Sequence, residues 1–485
     1  MSVRFRGGQP RLRASSWIFF PKTLVPSMAP WPKVRRVNKA SVAHQLDRLV
    51  KGVVEPGCTQ RVVVSRDAIA RLVSERGRRS KIIFCDPNTL AAAGQQVADA
   101  LEKPQTVVLE PQHGHDDLVC DSHMVARTRR YLSEYPEAEP IAVGAGTIND
   151  IVKKAAAEVA RDYVVVPTAA SMNGYTSSIA AILSEGVKRT VAAQQPIGIY
   201  APLDIITRAP AYLNRAGFGD LLSKPFSNAD WLLSHYVRQV PYDDAPAALL
   251  DEAFNALLDK ASDVSEGGAE GIQLLTETLL ISGFSMALAG TSAPASGGEH
   301  LVSHYWDMEQ HCQHVPLRAL HGTQVGIATR LSAMLYERLI TLDASAFQPA
   351  AAARRRRDDA WLQDWENLHP HLTPDVRQEV RAQLQTKQRY GSELGEELER
   401  VKAVWPRLRG LLQASAISSE RITEALRQAG CADRASAIGV SHEHLTRTLI
   451  VCRHIRNRYV ALDLVDDLGL LEDWASEIAA HSEQI

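Results

Sequence analysis

The chain has 485 residues, a formal net charge of −2, 45% hydrophobic and 23% charged residues. That length exceeds one small core and predicts two domains. The composition excludes a disordered or fibrous chain, and the near-neutral charge leaves no field for a polyanion, so no nucleic-acid partner is expected.

Residues 1–40 carry no Asp or Glu, several Arg and Lys, and scattered prolines. They read as a basic, disordered tail, with a transit peptide as the alternative. From about 60 to 190 short β-branched runs alternate with helical stretches: "KIIFC" (81–85), "TVVLE" (106–110), "PIAVGAG" (140–146) and "DYVVVPT" (162–168), separated by segments such as "TLAAAGQQVADALE" and "TINDIVKKAAAEVA". This alternation predicts a parallel sheet over residues 41–200, which binds ligands at the carboxyl ends of its strands. Beyond about 200 the apolar spacing turns helical, in "AALLDEAFNALLDKA", "EGIQLLTETLLISGFSMALA", "GTQVGIATRLSAMLYERLI" and "EHLTRTLIVCRHIRNRYVALDLV". Residues 201–485 are therefore expected to be all-α, with a charged insertion near 345–395 that includes four consecutive arginines. No uninterrupted apolar run reaches the roughly 20 residues of a membrane span. Six scattered cysteines without a C-x-x-C pair read as thiols of a reducing compartment, so a cytoplasmic protein is expected.

Within the sheet half, "VGAGTINDIVK" sets Gly144 and Gly146 after a strand and opens a helix, a turn suited to a pyrophosphate. It lacks the third glycine of G-x-G-x-x-G, Asn149 standing there instead, and a plain strand-to-helix turn explains it equally. Asp86 ends another strand, either as a ribose acceptor or as a turn residue before Pro87. "PTAASMNGYTSS" ends a third with small and hydroxyl residues, Thr168, Ser171, Thr176, Ser177 and Ser178 among them.

In the helical half, Asp220, His300 and His321 are candidate ligands for a catalytic metal, which keeps three protein ligands and an open position. His304 shares a helix face with His300 at i+4. Singly, each has a bland account as a helix cap or a polar rim. "QHGHDD" (His113, His115, Asp116, Asp117) reads as a solvated loop, while spacing alone leaves His311, Cys312 and His314 open. Glu299, about 100° around the helix from His300, reads as a packing or supporting residue.

Together "DPNTLAAAG", "VGAGTINDIVK", "PTAASMNGYTS", "GVKRT", "AGFGDLLSKPFSNADW", "GFSMALAGTSAPASGGEHLVSH", "HGTQVG" and "IRNRYVALDLVDDLGLL" resemble the glycerol-1-phosphate dehydrogenase family, a branch of the iron-containing alcohol dehydrogenase and dehydroquinate synthase-like superfamily. The resemblance implies an α/β N-terminal Rossmann-like domain followed by an all-α C-terminal domain, with the active site in the interdomain cleft. It implies reduction of dihydroxyacetone phosphate to sn-glycerol 1-phosphate with NAD(H) or NADP(H) and one divalent metal ion, zinc first, nickel or iron as alternatives. It implies Asp220, His300 and His321 as metal ligands, and His304 with Asp220 as catalytic. Gly144, Gly146, Thr147, Ile148, Asn149, Asp150, Thr168, Ala169, Ala170, Ser171, Ser177 and Asp86 fall to the cofactor. Asn173, Asp220, His304 and Lys224 fall to the substrate, with Lys188 and Arg189 as further cations for its phosphate. Where the family commonly reads "SMDGY", this chain has "SMNGY", so Asn173 replaces a carboxylate. A dehydrogenase of another polyol or hydroxyketone, a dehydroquinate-synthase-like cyclase, or a cofactor-binding protein without turnover are the competing readings. A small phosphorylated substrate and a homo-oligomer are expected.

Overall fold

The computed structural model describes residues 39–52, 58–102, 104–111, 118–184, 186–354 and 365–484. The tail 1–38, His113, His115, Asp116, Asp117 and Arg355–Arg357 lie outside them. From Lys39 onward the described residues belong to one unit.

Six parallel strands form the sheet: β1 (Arg61–Ser65), β2 (Lys81–Cys85), β3 (Gln105–Val108), β4 (Glu139–Gly144), β5 (Val164–Pro167) and, after a hairpin, β8 (Gly198–Pro202). Their order is β1-β8-β5-β4-β2-β3. Burial explains the composition of each strand. The inner strands β2, β4, β5 and β8 are buried at every position and are apolar apart from the Lys81–Glu139 pair that starts β2 and β4, while the edges β1 and β3 are partly exposed. Ile83, Ile141, Val143, Val164 and Val166 form the centre of this core. The chain leaves β2 for β3 on one side and returns to β4 on the other, so the order reverses between β2 and β4. A ligand crevice opens where two strand ends diverge in this way.

Strands β6 (Ile179–Ser184) and β7 (Val187–Ala192) make a separate antiparallel hairpin, which the expected all-parallel pattern did not include. Every strand among the described residues precedes Leu203. The helices that build the site are α1 (Gly146–Glu158), α2 (Ala211–Leu222), α3 (Lys224–Arg238), α4 (Ala269–Ala289), α5 (Gly298–Gln313), α6 (His321–Leu339) and, in the charged region, α7 (Pro374–Lys387). Among the described residues, α4 is long and apolar enough to cross a membrane, and 78% of its apolar window is buried inside the protein. The helix expected over 443–465 is broken: helical residues His442–Val451 and Ala461–Leu468 flank a turn, Cys452–Ile455, and an irregular stretch. The second helix starts afresh there: Val460 donates its N–H to Asp463 three residues on, a local cap, and Ala461 donates its N–H to the distant Asp230. None of the six cysteines is in a disulfide.

Candidate active site

Helices α2 and α6 approach so closely that their glycines admit no side chain. A Cβ on Gly219 would stand 2.4 Å from the Gly322 carbonyl oxygen, and one on Gly322 2.0 Å from that of Ala216. This contact brings Asp220, one residue past Gly219, beside His321, one residue before Gly322. Helix α5 enters from a third direction with His300 and His304. The carboxylate of Asp220 and the two imidazoles of His300 and His321 offer ligand atoms within 4.8 Å of one another.

The hydrogen bonds fix how these groups face. Glu299 accepts from His300 Nδ1–H at 2.9 Å, leaving Nε2 directed at Asp220 Oδ1, 3.3 Å away. Ser303 donates to Gln324 Oε1 and therefore accepts from His321 Nδ1–H, both at 2.8 Å, which puts the free lone pair of His321 on Nε2. Such outer partners set the tautomer of a ligating histidine. Asp220 Oδ2 accepts from the Asn173 backbone N–H at 3.0 Å, whereas Oδ1 is buried without a hydrogen bond. A buried, unpartnered carboxylate oxygen facing two imidazole nitrogens is the donor set a divalent ion satisfies. Two ligands about 2.0–2.1 Å from a tetrahedral zinc stand roughly 3.3 Å apart, so the His300–Asp220 spacing fits.

Burial would raise the Asp220 carboxyl, but Lys224, His300 and His321 hold it well below the usual carboxylate range. Burial, Lys188 and His300 push His321 down to about 3. Burial also carries His304 well below its ordinary value, with Lys188, His321 and Arg456 adding to the effect. Both rings are neutral at pH 7. His304 stacks on His321 with centroids 5.2 Å apart, and its Nδ1 is buried without a partner.

A polar chain missed in the sequence runs outward from His321. Gln324 Nε2 donates to Asp307 Oδ1 at 3.1 Å, and Lys188 Nζ on β7 donates to Asp307 Oδ2 at 2.6 Å. Next to it, Arg456 Nη2 donates to the Lys188 carbonyl at 2.8 Å. Among the described residues Arg456 forms no ion pair, and burial with Arg458 and Arg189 nearby lowers it to about 10. Its signal was hidden by the helical reading of residues 443–465. Lys224 is buried and donates to Ala295 O and Ser223 Oγ, and Arg189 is paired with Glu379 of α7 at 3.3 Å.

On the sheet side, Gly144 ends β4 and Gly146 begins α1, with no side-chain cap on that helix. Gly146 and Thr147 are partly exposed, and Ile148 is buried. The polar side chains that follow turn inward. Asn149 accepts from Tyr163 OH at 3.2 Å and donates to Asp150, which accepts from the Ala181 N–H of the hairpin at 3.1 Å. Ser177 accepts from the buried Lys153 at 3.1 Å. Asp86 caps the turn after β2, accepting from Thr89 N–H at 2.8 Å. Thr168 N–H donates to Gly144 O, closing β5 onto β4, while Ala170 N–H donates to Asn214. Ala169 is buried and Ser171 partly exposed. A Cβ on Gly217 would meet the Ala170 carbonyl oxygen at 1.9 Å, so the sheet half and α2 touch backbone to backbone.

A glycine turn at the reversal of a parallel sheet, together with an Asp/His/His set on the helices packed against that sheet half, is the arrangement of a dehydrogenase of the iron-containing alcohol dehydrogenase type. Residues 64–210 match the model of the iron-containing alcohol dehydrogenase family. The chain is 33% identical over 339 residues to the glycerol-1-phosphate dehydrogenase [NAD(P)+] of Geobacillus thermodenitrificans, covering 68% of this chain and 81% of that protein. To the enzyme of the same name from Geobacillus stearothermophilus it is 31% identical over 423 residues, covering 85% and 94%. The fold is also that of a probable glycerol dehydrogenase from Sinorhizobium meliloti, at 15% identity and TM-score 0.58, covering 88% of this chain and 98% of that one. The chain belongs to the glycerol-1-phosphate dehydrogenase family.

Proposed function

We propose that the protein reduces dihydroxyacetone phosphate to sn-glycerol 1-phosphate with NADH or NADPH and one divalent metal ion, zinc first among the candidates, as a homo-oligomer. The observation that carries this reading is the Asp220/His300/His321 set, the first two buried and the third partly so, with both imidazoles turned ligand side inward. Residues 41–200 serve as the cofactor half and 201–485 as the metal half.

When bound, the metal supplies Lewis acidity at the ketone oxygen and stabilises the negative charge left there by hydride transfer. Around it, His304 Nδ1 and the buried, unpartnered Nδ2 of Asn173 offer a neutral imidazole nitrogen and an amide donor to substrate oxygens. The amide of Asn173 binds a hydroxyl without acting as a base, and His304 is neutral at pH 7, so the proton comes from solvent, with the His304 ring able to relay it from one nitrogen to the other. Lys188 is already neutralised by Asp307, whereas Arg456 stands beside it with no carboxylate partner among the described residues, so the substrate phosphate is its counter-charge. The strand-end backbone around Gly144 to Asp150 and Thr168 to Ser171 lines the dinucleotide crevice.

NAD(P)H oxidation is compared for dihydroxyacetone phosphate and dihydroxyacetone, before and after chelation and re-addition of zinc, nickel or iron. Turnover of the phosphate ester that needs an ion is expected. Preference for the unphosphorylated ketone moves the assignment to another polyol dehydrogenase, and no turnover with any ion refutes it. Arg456→Met is expected to raise KM for the phosphate ester at least about tenfold while sparing dihydroxyacetone.

A further inference from the structure

Apart from the Asp220/His300/His321 set, a cavity of about 740 Å³ opens between the end of α3, the loop to Asp243, the end of α4 and the Asn457–Tyr459 stretch. None of Asp220, His300, His304 and His321 lines it, nor does any strand end of the sheet. Its size suits a small organic ligand rather than a few waters.

The chemistry of the wall is one-sided. Arg238, Lys387, Arg389 and Arg458 face the cavity against one carboxylate, Asp243. The acids that pair with three of these cations, Glu397, Asp463 and Glu393, stand outside the lining. Arg238 keeps a buried Nε–H without an acceptor. Trp231 and Tyr242, also in the lining, pack edge to face with centroids 4.9 Å apart. Cations suit a phosphate, and an aromatic wall suits a planar ring.

We propose that this cavity is a second ligand site, for a mononucleotide-sized anion carrying a planar ring and a phosphate. Arg458 links it to the metal residues. Its guanidinium donates to Ser292 Oγ at 2.8 Å and to the Ser296 carbonyl, and the segment holding both runs directly into α5, which carries His300. A phosphate that engages Arg458 competes for those donors and loosens the entry to that helix.

Calorimetric titration of the full chain with AMP, in saturating NADH to fill the dinucleotide crevice, tests the site. One AMP per chain is expected, with adenosine and inorganic phosphate each at least about tenfold weaker. Arg389→Glu, at the rim, and Tyr242→Ala are each expected to weaken AMP at least about tenfold, and Arg389→Glu leaves kcat and KM without AMP unchanged. No AMP binding in the presence of NADH, or binding that survives both substitutions, overturns the proposal. For the link, AMP is expected to change the zinc dissociation constant of the parent, and to change that of Ser292→Ala less, since this variant still binds AMP and keeps only the Ser296 contact. Equal behaviour of the two sinks the route through Arg458.

Discussion

The two halves of this molecule approach a ligand with different materials. At the strand ends of the sheet, the polar side chains nearest the glycine turn point away from the crevice: Asn149 and Asp150 tie α1 to Tyr163 and to the hairpin, and Ser177 receives Lys153. Around the turn that half presents mainly backbone groups, with Thr147 and Ser171 as partly exposed side chains. In the helices the side chains themselves face inward, and each imidazole is held through its far nitrogen, His300 by Glu299 and His321 by Ser303. A site made of main chain tolerates many side chains, whereas one made of ligands tolerates few. Substitution separates them.

The largest effect is expected in the helical half. His300→Ala removes a ligand, and both bound metal and turnover are expected to fall, the latter by about 10²–10³-fold or more, read by metal analysis and NADH oxidation. A variant that kept ion and rate would place the metal elsewhere. Gly322→Ala comes next, because the added methyl meets the Ala216 carbonyl at 2.0 Å. A loss of about 1–3 kcal/mol in denaturant unfolding is expected, together with weaker metal binding as Asp220 and His321 are forced apart. Glu299→Gln keeps the size but loses the charge that holds His300, and metal affinity is expected to drop about 10–100-fold with the fold intact. An unchanged zinc dissociation constant would reduce Glu299 to a packing role. The smallest effect belongs to the sheet half. Asp86→Asn keeps a good helix cap, so stability and the KM for NAD(P)H are both expected to stay within about twofold. A KM for the cofactor that climbs well beyond that would give Asp86 the ribose after all and would narrow the contrast between the halves.

How far the sequence alone reached follows the same division. Strand β2 begins and ends where "KIIFC" does, since a strand buried on both faces leaves an unbroken apolar run. The hairpin β6–β7 was harder to read, because it is only half buried: the apolar run of β6, "IAAIL", is rich in Ala, and β7 mixes Val and Ala with Lys and Arg. Periodicity carried the helix of residues 443–465 straight across a break where Asp463 caps a new start locally and Asp230, which no local window contains, takes the next N–H. Arg456 lies in that break and was invisible for the same reason. Glu299, whose angle on the helix wheel gives a packing or supporting residue, does the latter: its carboxylate reaches its neighbour's Nδ1. The Asp/His/His set was legible as residue types and took its meaning from resemblance, while the glycines beside Asp220 and His321 already held the packing reason for their meeting.

That glycine crossing has a consequence for assembly order. Where main chain rests on main chain, as Gly219 does on Gly322, the spacing of Asp220 and His321 is settled when the two helices dock. The ion then enters a finished socket instead of nucleating one, in contrast to a zinc finger, whose chain is unfolded until metal gathers it. Removing the metal is accordingly expected to silence the enzyme long before it shifts the melting temperature, and the empty socket should recharge without refolding.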